Sequence, residues 1–291
     1  MKFKIAHISD VHIKFEDNIN SILLSRLFED ISQNECNHIS ITGDIVENAN
    51  RREFETVRSI IEKFGYLDGD KLSVVPGNHD IFGGVSRDIP VYEFPAHCRD
   101  LDYQKKEFDF FNFFNESFRN TIRDTEIFPY VKILNDDIII IGLNSVAPYS
   151  EVHNPVGTNG KINDLQLKNL LKLFDEFDVS GKFKIVLLHH YFNKPGSMKN
   201  DKDHALWLKS EQSKMKLHNK KVIVDTFRKL KVDVVLHGHN HITETYLLKE
   251  MIFINSSGCL RPFTRSKANR YFILEFDTEQ KSFKLEMRQI S

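Results

Sequence analysis

Clusters of aspartate, asparagine and histidine follow short apolar runs at five places along the chain. In the segment Leu236–His241 (LHGHNH), three imidazoles lie within six residues, directly after the apolar run Val232–Val235. A buried imidazole has two nitrogens that need partners, so alternating histidines are costly in an apolar core. We therefore expect these side chains to face a ligand. The other four clusters are Asp10 with His12, Asp44 alone, Asn78 with His79 and Asp80, and His189 with His190.

The chemistry of these donors indicates a pair of metal ions. They offer carboxylate and amide oxygens and imidazole nitrogens without a thiolate, a set typical of manganese, iron or zinc. Their number suffices for two divalent ions about 3.5–4 Å apart that share one carboxylate. Residues two apart in extended backbone point to the same side. On that ground Asp10 and His12, and likewise His237 and His239, are expected to bind neighbouring ions.

Strands of a largely parallel sheet would bring these clusters together, because ligands collect beyond the carboxyl ends of parallel strands. Six nearly continuous apolar runs predict strands that are covered on both faces: Phe3–Ser9, His38–Thr42, Leu72–Val75, Ile138–Asn144, Lys184–Leu188 and Val232–Leu236. Three apolar stripes with helical spacing lie between some of these runs. They comprise Ile19, Ile22, Leu23 and Leu27; Phe54, Val57, Ile61 and Phe64; and Leu167, Leu170, Leu171 and Phe174, the last preceded by Asn163 as N-cap.

The carboxyl-terminal part has a different pattern. The runs Met251–Asn255, Tyr271–Asp277 and Phe283–Ile290 follow one another without helical spacers and predict antiparallel strands. A parallel block followed by an antiparallel block indicates two packed sheets of an α/β protein. No repeat or linker divides the chain, so we expect a single domain over residues 1–291, with inserts at about 85–130 and 193–221.

Composition excludes several classes of protein. A formal net charge of −1 over 291 residues argues against nucleic acid as the partner, because such proteins usually carry a basic excess. The amino terminus lacks the apolar core of a signal peptide, and no run approaches the roughly 20 apolar residues of a membrane span. Three scattered cysteines, Cys36, Cys98 and Cys259, are typical of reduced thiols. We expect a cytoplasmic protein, whose oligomeric state the sequence leaves open.

Each insert has two interpretations. The phenylalanine-rich segment Glu107–Phe118 is either a buried helix of an inserted cap, or part of an apolar substrate pocket or membrane contact. The lysine-rich segment Asn193–Lys221 is either a solvated face or a loop that attracts an anion over the metals. Arg261 and Arg265 are candidates for contacts with substrate phosphate.

The five clusters, in their order, resemble the signature of the calcineurin-like metallophosphoesterases. The matching elements are Asp10-x-His12, Gly43-Asp44, Gly77-Asn78-His79-Asp80, the lone His189, and His237-Gly238-His239. The resemblance implies a four-layer αββα sandwich of two mixed β-sheets flanked by helices. It also implies two divalent ions, with manganese the first expectation. One ion would be held by Asp10, His12, Asp44 and His239, and the other by Asp44, Asn78, His189 and His237.

The resemblance also implies roles in the reaction. Two cations lower the pKa of a shared water, which can then attack phosphorus in line. His79 is the candidate general acid for the leaving group, oriented by Asp80. For His190, packing or a contact with a ligand residue is expected rather than metal binding. His241 is a candidate for a supporting contact, and Glu47 either orients a ligand or is an exposed residue at a helix start.

The first functional expectation is a two-metal phosphodiesterase for a small phosphodiester of the cyclic-nucleotide type. This rests on the amino-terminal stretch FKIAHISDVH and the chain length, which look like the bacterial cyclic-nucleotide phosphodiesterase branch. The alternative is a UDP-diacylglucosamine pyrophosphatase of lipid A synthesis, which an apolar insert would suit. A DNA-repair nuclease fits the net charge poorly. A non-enzymatic scaffold fits poorly because such scaffolds lose metal ligands.

Overall fold

Two mixed β-sheets form the centre of the protein. The computed structural model describes residues 2–15, 18–86, 88–176, 179, 181–192, 215–257, 259–260, 269–280 and 282–290. The first sheet consists of β1 (Lys2–Ile8), β2 (His38–Thr42), β3 (Leu72–Val75), β10 (Asn269–Asp277) and β11 (Ser282–Ile290). The second consists of β4 (Tyr130–Leu134), β5 (Ile138–Gly142), β6 (Phe183–Leu187), β7 (Val234–His237), β8 (Thr243–Leu248) and β9 (Met251–Ser256).

Each sheet combines a block of parallel strands with antiparallel strands. The first sheet has the order β11-β10-β1-β2-β3, with β1, β2 and β3 parallel. The second has the order β4-β5-β6-β7-β9-β8, with β5, β6, β7 and β9 parallel. The prediction that a parallel block is followed along the chain by a separate antiparallel block is therefore wrong. β9 pairs parallel with β7, and β10 returns to lie antiparallel beside β1.

Helices pack against both sheets. They are α1 (Asn18–Gln33), α2 (Arg51–Lys63), α3 (Asn78–Phe82), α4 (Phe94–Asp100), α5 (Tyr103–Phe113), a 3₁₀ turn (Asn115–Phe118), α6 (Asp164–Glu176) and α7 (Lys220–Lys229). The three predicted stripes fall on α1, α2 and α6, and Asn163 Oδ1 accepts a bond of 2.8 Å from the Gln166 amide, as a cap does. The buried face of α1 differs from the prediction, because Ile19 and Ile22 are half exposed while Leu24 and Phe28 are buried.

Alternation along β5 shows how the layers pack. Ile138 and Ile140 belong to a large apolar cluster that joins the first sheet, α1 and α2 to the inner face of the second sheet. Ile139 and Ile141 belong to a second cluster with α6 and α7. Successive side chains of a strand point to opposite faces, so the second sheet is covered on both. The four-layer αββα arrangement is confirmed.

The phenylalanine-rich segment is part of this core. Phe110 and Phe114 are fully buried, and the Phe113 ring stacks on Phe54 of α2 with 4.7 Å between ring centroids. Phe108 is the exposed ring of the segment. The buried-helix interpretation is therefore confirmed for these rings. Among the described residues, no helix is both long and apolar enough to cross a bilayer.

Two sequence predictions fall where the structure gives no description. Residues 193–214, which make up most of the lysine-rich segment, lie outside the described residues. Arg261 and Arg265 lie outside them as well. Their suggested roles toward phosphate therefore stay predictions.

Candidate metal centre

The loops after β1 and β2 bring the first acidic groups together. The Asp10 amide donates to Gly43 O and the His12 amide to Asp44 O, each at 3.0 Å. Strand β1 ends at Ile8, and Asp10 and His12 have φ of 55° and 50°. The extended backbone assumed from the sequence is therefore absent at these residues. They reach the same site because two left-handed residues turn the loop.

Asp44 lies at the centre of the site and is buried. Its Oδ2 is 3.2 Å from His189 Nε2 and 3.7 Å from His12 Nε2, so one carboxylate faces both groups of imidazoles. Its Oδ1 accepts from the His79 amide at 2.8 Å. A side-chain carbon at Gly77 would come within 2.2 Å of Oδ1, so only glycine leaves room for this carboxylate. Asp44 is thus placed as a shared ligand must be.

His189 and His239 form one side of the site. His189 Nδ1 donates to the Thr42 carbonyl at 2.8 Å, which fixes the tautomer and leaves the lone pair on Nε2 facing Asp44. His239 Nδ1 lies 3.0 Å from that Nε2. Donor atoms of Asp44, His189 and His239 all lie within 4.8 Å of one another, which suits a single metal ion.

His241 completes a second group with Asp10 and His12. Its Nε2 is 3.8 Å from Asp10 Oδ1, and its ring stacks on that of His12 with 5.1 Å between centroids. Donor atoms of Asp10, His12 and His241 lie within 4.8 Å of one another. The sequence suggested only a supporting contact for His241. The structure places it among the potential ligands.

His237 points elsewhere, and the expectation that it shares a side with His239 is wrong. Its Nε2 is 2.9 Å from the Tyr246 hydroxyl, and burial lowers its pKa to about 3. Strand β7 ends at His237, and His239 has a φ of 82°, so the alternation of an extended chain stops between them. Among the described residues a third group of potential ligands consists of His12, Asp44 and His79, and His237 belongs to none of the three groups. His239 and His241 are the two histidines of LHGHNH that reach the groups.

The segment Asn78–Asp80 begins the short helix α3 beside Asp44. His79 Nδ1 donates to the Glu47 carbonyl at 3.0 Å, and its side chain is about a quarter exposed. This leaves Nε2 as the nitrogen that can exchange a proton with a substrate. The sequence predicted that Asp80 orients His79, but Asp80 accepts from the amides of Ile45, Val46 and Gly77. That prediction is wrong in its contact, because Asp80 instead holds the Asp44 loop against the α3 turn.

Glu47 is a site residue whose role the sequence left open. Its Oε2 accepts from His12 Nδ1 at 2.9 Å, which turns His12 Nε2 toward the carboxylates. Lys14 Nζ is 3.5 Å from Oε1 of the same residue. Glu47 therefore orients His12, and of the two interpretations the structure favours that of an orienting residue.

Carboxylates dominate the electrostatics of the site. Burial disfavours a charged imidazole, but the hydrogen bond to Glu47 and the charges of Asp44 and Asp10 raise the pKa of His12 to about 9. Burial likewise opposes the charge of His189, and Asp44 raises its pKa to about 9. The site therefore attracts positive charge, and a divalent cation would take the place of these protons.

Unpaired polar atoms provide a test of whether the residues fit a metal. His12 Nε2, Asn78 Oδ1 and His239 Nε2 are buried without a hydrogen-bond partner. Buried polar atoms are almost always paired, and these three are among eight unpaired ones in the described residues, so their occurrence in one site requires an explanation. Divalent cations bound among oxygen and nitrogen donors would supply partners for His12 Nε2 and Asn78 Oδ1. The residues present therefore fit the two ions.

Backbone strain also occurs at the site. Residues with φ between 49° and 82° include five that line the site: Asp10, His12, Asp44, His239 and His241. Residues other than glycine rarely adopt this left-handed conformation, which costs about 1–3 kcal/mol each. Strain of this kind persists where surrounding structure enforces it, and it is common at functional sites.

Sequence comparison decides the family. A family model described as calcineurin-like phosphoesterase matches residues 3–243, which include every residue placed in the site above. The chain belongs to the calcineurin-like phosphoesterase family. It is accordingly a metal-dependent phosphoester hydrolase of a family that uses two divalent ions. A comparison with curated protein sequences finds no significant match.

Several solved structures share the calcineurin-like phosphoesterase fold. A dimetal phosphatase from Danio rerio has a TM-score of 0.58 at 14% identity, over 94% of this chain and 92% of that one. Purple acid phosphatase PPD1 from yellow lupin has 0.63 at 12%, over 99% and 52%. GAP50, the anchor in the inner membrane complex of Plasmodium, has 0.52 at 12%, over 100% and 89%. At these identities the likeness concerns the fold alone.

Proposed function

We propose that this phosphoesterase is a cytoplasmic, dinuclear phosphodiesterase for a small phosphodiester of the cyclic-nucleotide type. The observation that carries the proposal is the position of Asp44 between two groups of potential metal ligands. One ion would be held by Asp10, His12, Asp44 and His241, and the other by Asp44, Asn78, His189 and His239. Compared with the sequence prediction, this set replaces His237 with His241 and moves His239 from the first ion to the second.

The chain's own residues divide the remaining work. Bound divalent ions supply Lewis acidity, which lowers the pKa of water and screens phosphoryl oxygens. His79 would carry a proton at Nε2 to the leaving oxygen, because its Nδ1 is held by Glu47 O. Glu47 keeps His12 in one orientation, and Asp80 keeps the Asp44 loop against the turn that carries His79.

Manganese is the proposed metal. Every donor of the two groups is a carboxylate or amide oxygen or an imidazole nitrogen, which suits divalent ions of intermediate hardness. The proposed cytoplasmic location is supported by the three cysteines, which are all free and buried in the structure, because thiols stay reduced in that compartment.

The rival functions have less support. The lipid A pyrophosphatase was favoured by an apolar insert, but Phe110 and Phe114 of that insert are fully buried in the core. A nuclease would need many basic contacts with phosphates, and the net charge is −1. A scaffold would not need the donor groups around Asp44, which are present with their orienting partners.

A substrate panel tests the proposal. Manganese-loaded protein is assayed with bis-nitrophenyl phosphate, cyclic nucleotides, UDP-diacylglucosamine and single-stranded DNA. We expect hydrolysis of the first two. Turnover of the acyl sugar nucleotide or the DNA alone would contradict the proposed substrate, and inactivity of protein shown to hold two ions would favour a scaffold.

A further inference from the structure

The hydroxyl of Ser145 connects the ends of two neighbouring strands behind the metal centre. Ser145 follows β5, and its Oγ accepts from the amides of His189 at 3.1 Å and His190 at 3.2 Å, just beyond β6. The same hydroxyl lies 2.9 Å from His190 Nδ1. Since it accepts from two amides, its single proton is free for Nδ1. Ser145 therefore fixes the backbone of a proposed ligand, His189, and one nitrogen of its neighbour.

His190 is buried and cannot act as a ligand in this orientation. Its Nδ1 accepts from Ser145, and its Nε2 faces the Thr158 carbonyl at 3.3 Å, so the neutral tautomer with the proton on Nε2 satisfies both contacts. Gly160 lies against the ring, where an added side-chain carbon would come within 2.4 Å of Cγ. Both ring nitrogens and one face are thereby held in place.

The His190 ring in turn limits His239. Their centroids are 4.4 Å apart at 48°, and His190 meets His189 edge-on at 5.3 Å. Rotation of His239 away from His189 Nε2 is therefore restricted by a ring that cannot itself move. A hydrogen-bonded neutral imidazole suits this position, because a charged one would repel a nearby cation.

We propose that Ser145 and His190 are positioning residues for the imidazole half of the metal centre, holding His189 and His239 together for one of the two ions. This rests on the proposed dinuclear function and goes beyond it by naming residues that touch neither metal nor substrate. Partners that orient ligands typically change metal affinity 10–100-fold when they are removed, roughly the effect expected here.

Three variants separate the hydrogen bonds of the Ser145 hydroxyl from the contact between the His190 and His239 rings. Ser145→Ala removes the hydroxyl and leaves the ring. His190→Phe keeps a ring against His239 but cannot accept from Ser145. His190→Asn keeps an acceptor near the Nδ1 position but removes the ring contact. Ser73→Ala is the matched control, since Ser73 Oγ makes a comparable buried bond of 3.0 Å with His38 Nε2 away from the metal centre.

The readout is manganese binding to the whole protein, measured by titration calorimetry and by the electron paramagnetic resonance signal of coupled Mn²⁺ pairs. We expect Ser145→Ala and His190→Asn to weaken one of two binding steps by about 10-fold or more and to diminish the coupled signal. His190→Phe should have a smaller effect. Ser73→Ala should lower the melting temperature of the metal-free protein but leave both binding steps unchanged.

Two outcomes would overturn the inference, and they are distinguishable from failure of the function itself. If wild type binds two ions and folded Ser145→Ala and His190→Asn bind both within 3-fold of it, the residues are only structural. An equal loss in Ser73→Ala would show that general destabilisation is responsible. If wild type binds no pair of ions, the proposed dinuclear function fails and this inference fails with it.

Discussion

The metal centre and the pocket around Lys132 both contain buried polar side chains, but they differ in how many of the buried polar atoms have hydrogen-bond partners. In the Lys132 pocket (His38, Ser73, Tyr130 and Lys132), Lys132 Nζ donates to Leu72 O at 2.6 Å and to Ser117 O at 2.7 Å. His38 bonds through both nitrogens, to Asp70 O and to Ser73 Oγ. At the metal centre, one buried polar atom in each of three side chains has no hydrogen-bond partner: His12 Nε2, Asn78 Oδ1 and His239 Nε2.

Charge distinguishes the two regions as well. Burial, with a contribution from Lys132, lowers the pKa of His38 to about 3, so the ring is neutral and acts as an ordinary polar core residue. At the metal centre carboxylates outweigh burial and raise the pKa of His12 to about 9. Carboxylates beside a buried histidine therefore distinguish the metal centre from the Lys132 pocket. Substitutions in the metal centre and in the Lys132 pocket should therefore have different effects.

The largest effect is expected from the shared carboxylate. Asp44→Asn should lower turnover at least about 1,000-fold, roughly 4 kcal/mol, because the substitution removes the charge that faces both imidazole groups. Metal content, measured by elemental analysis, should fall in parallel. Asp70→Asn, at the exposed edge of the Lys132 pocket, serves as the control and should retain both. Full manganese content with full activity in Asp44→Asn would show that the two ions do not share this residue.

The next effect separates two histidines of LHGHNH. His241→Ala should lower turnover about 100-fold or more and remove one ion, because His241 lies with Asp10 and His12. His237→Ala should cost about 1–3 kcal/mol of unfolding free energy through the loss of its bond with Tyr246, while two ions remain bound. Metal stoichiometry together with denaturant unfolding distinguishes them. Loss of an ion in His237→Ala, with both ions kept in His241→Ala, would instead make His237 a ligand, as inferred from the sequence.

His79 should affect catalysis selectively. His79→Ala is expected to lower turnover of substrates with poor leaving groups about 100-fold, and that of nitrophenyl esters much less, because nitrophenolate leaves without a proton. Parallel kinetics on an alkyl and a nitrophenyl diester provide the comparison. Equal losses on both would assign His79 a role other than general acid.

The effect that is smallest per pH unit concerns the Lys132 pocket. Burial lowers the pKa of Lys132 to about 7 from the 10.5 expected when unfolded, so between these values the unfolded chain binds more protons. Stability should therefore rise with pH across this window, by up to about 1.4 kcal/mol per pH unit from this group. Denaturant unfolding of wild type and Lys132→Met from pH 7 to 10 isolates it, since other groups cancel. Identical slopes would mean that Lys132 is charged in the folded protein.

The sequence predicted the parts of the site that depend on strand ends. The short apolar runs His38–Thr42 and Leu72–Val75 form neighbouring parallel strands, so Asp44 and Asn78, which follow them, lie at the same end of the sheet. It failed where the strand stopped. The His237/His239 pairing assumed extended backbone, but the left-handed φ of His239 turns the chain after Gly238. A glycine between two histidines at a strand end was the available warning.

Long-range partners were the second limit of the sequence. Asp80 stands next to His79 in the chain, yet it bonds to amides of Ile45 and Val46, 35 and 34 positions away. Likewise β9 pairs antiparallel with β8, as predicted, but it also pairs parallel with β7, because strand pairing depends on neighbours that the segment itself does not encode. The local sequence pattern therefore predicted the strands better than it predicted which strands and side chains contact one another.

Anomalous diffraction from crystals soaked in manganese would locate the two ions themselves. We expect two anomalous peaks about 3.5–4 Å apart on either side of the Asp44 carboxylate. One peak should be bound by His241 and the other by His189 and His239, with His237 bound to neither. A single peak, peaks remote from Asp44, or a peak coordinated by His237 would contradict it.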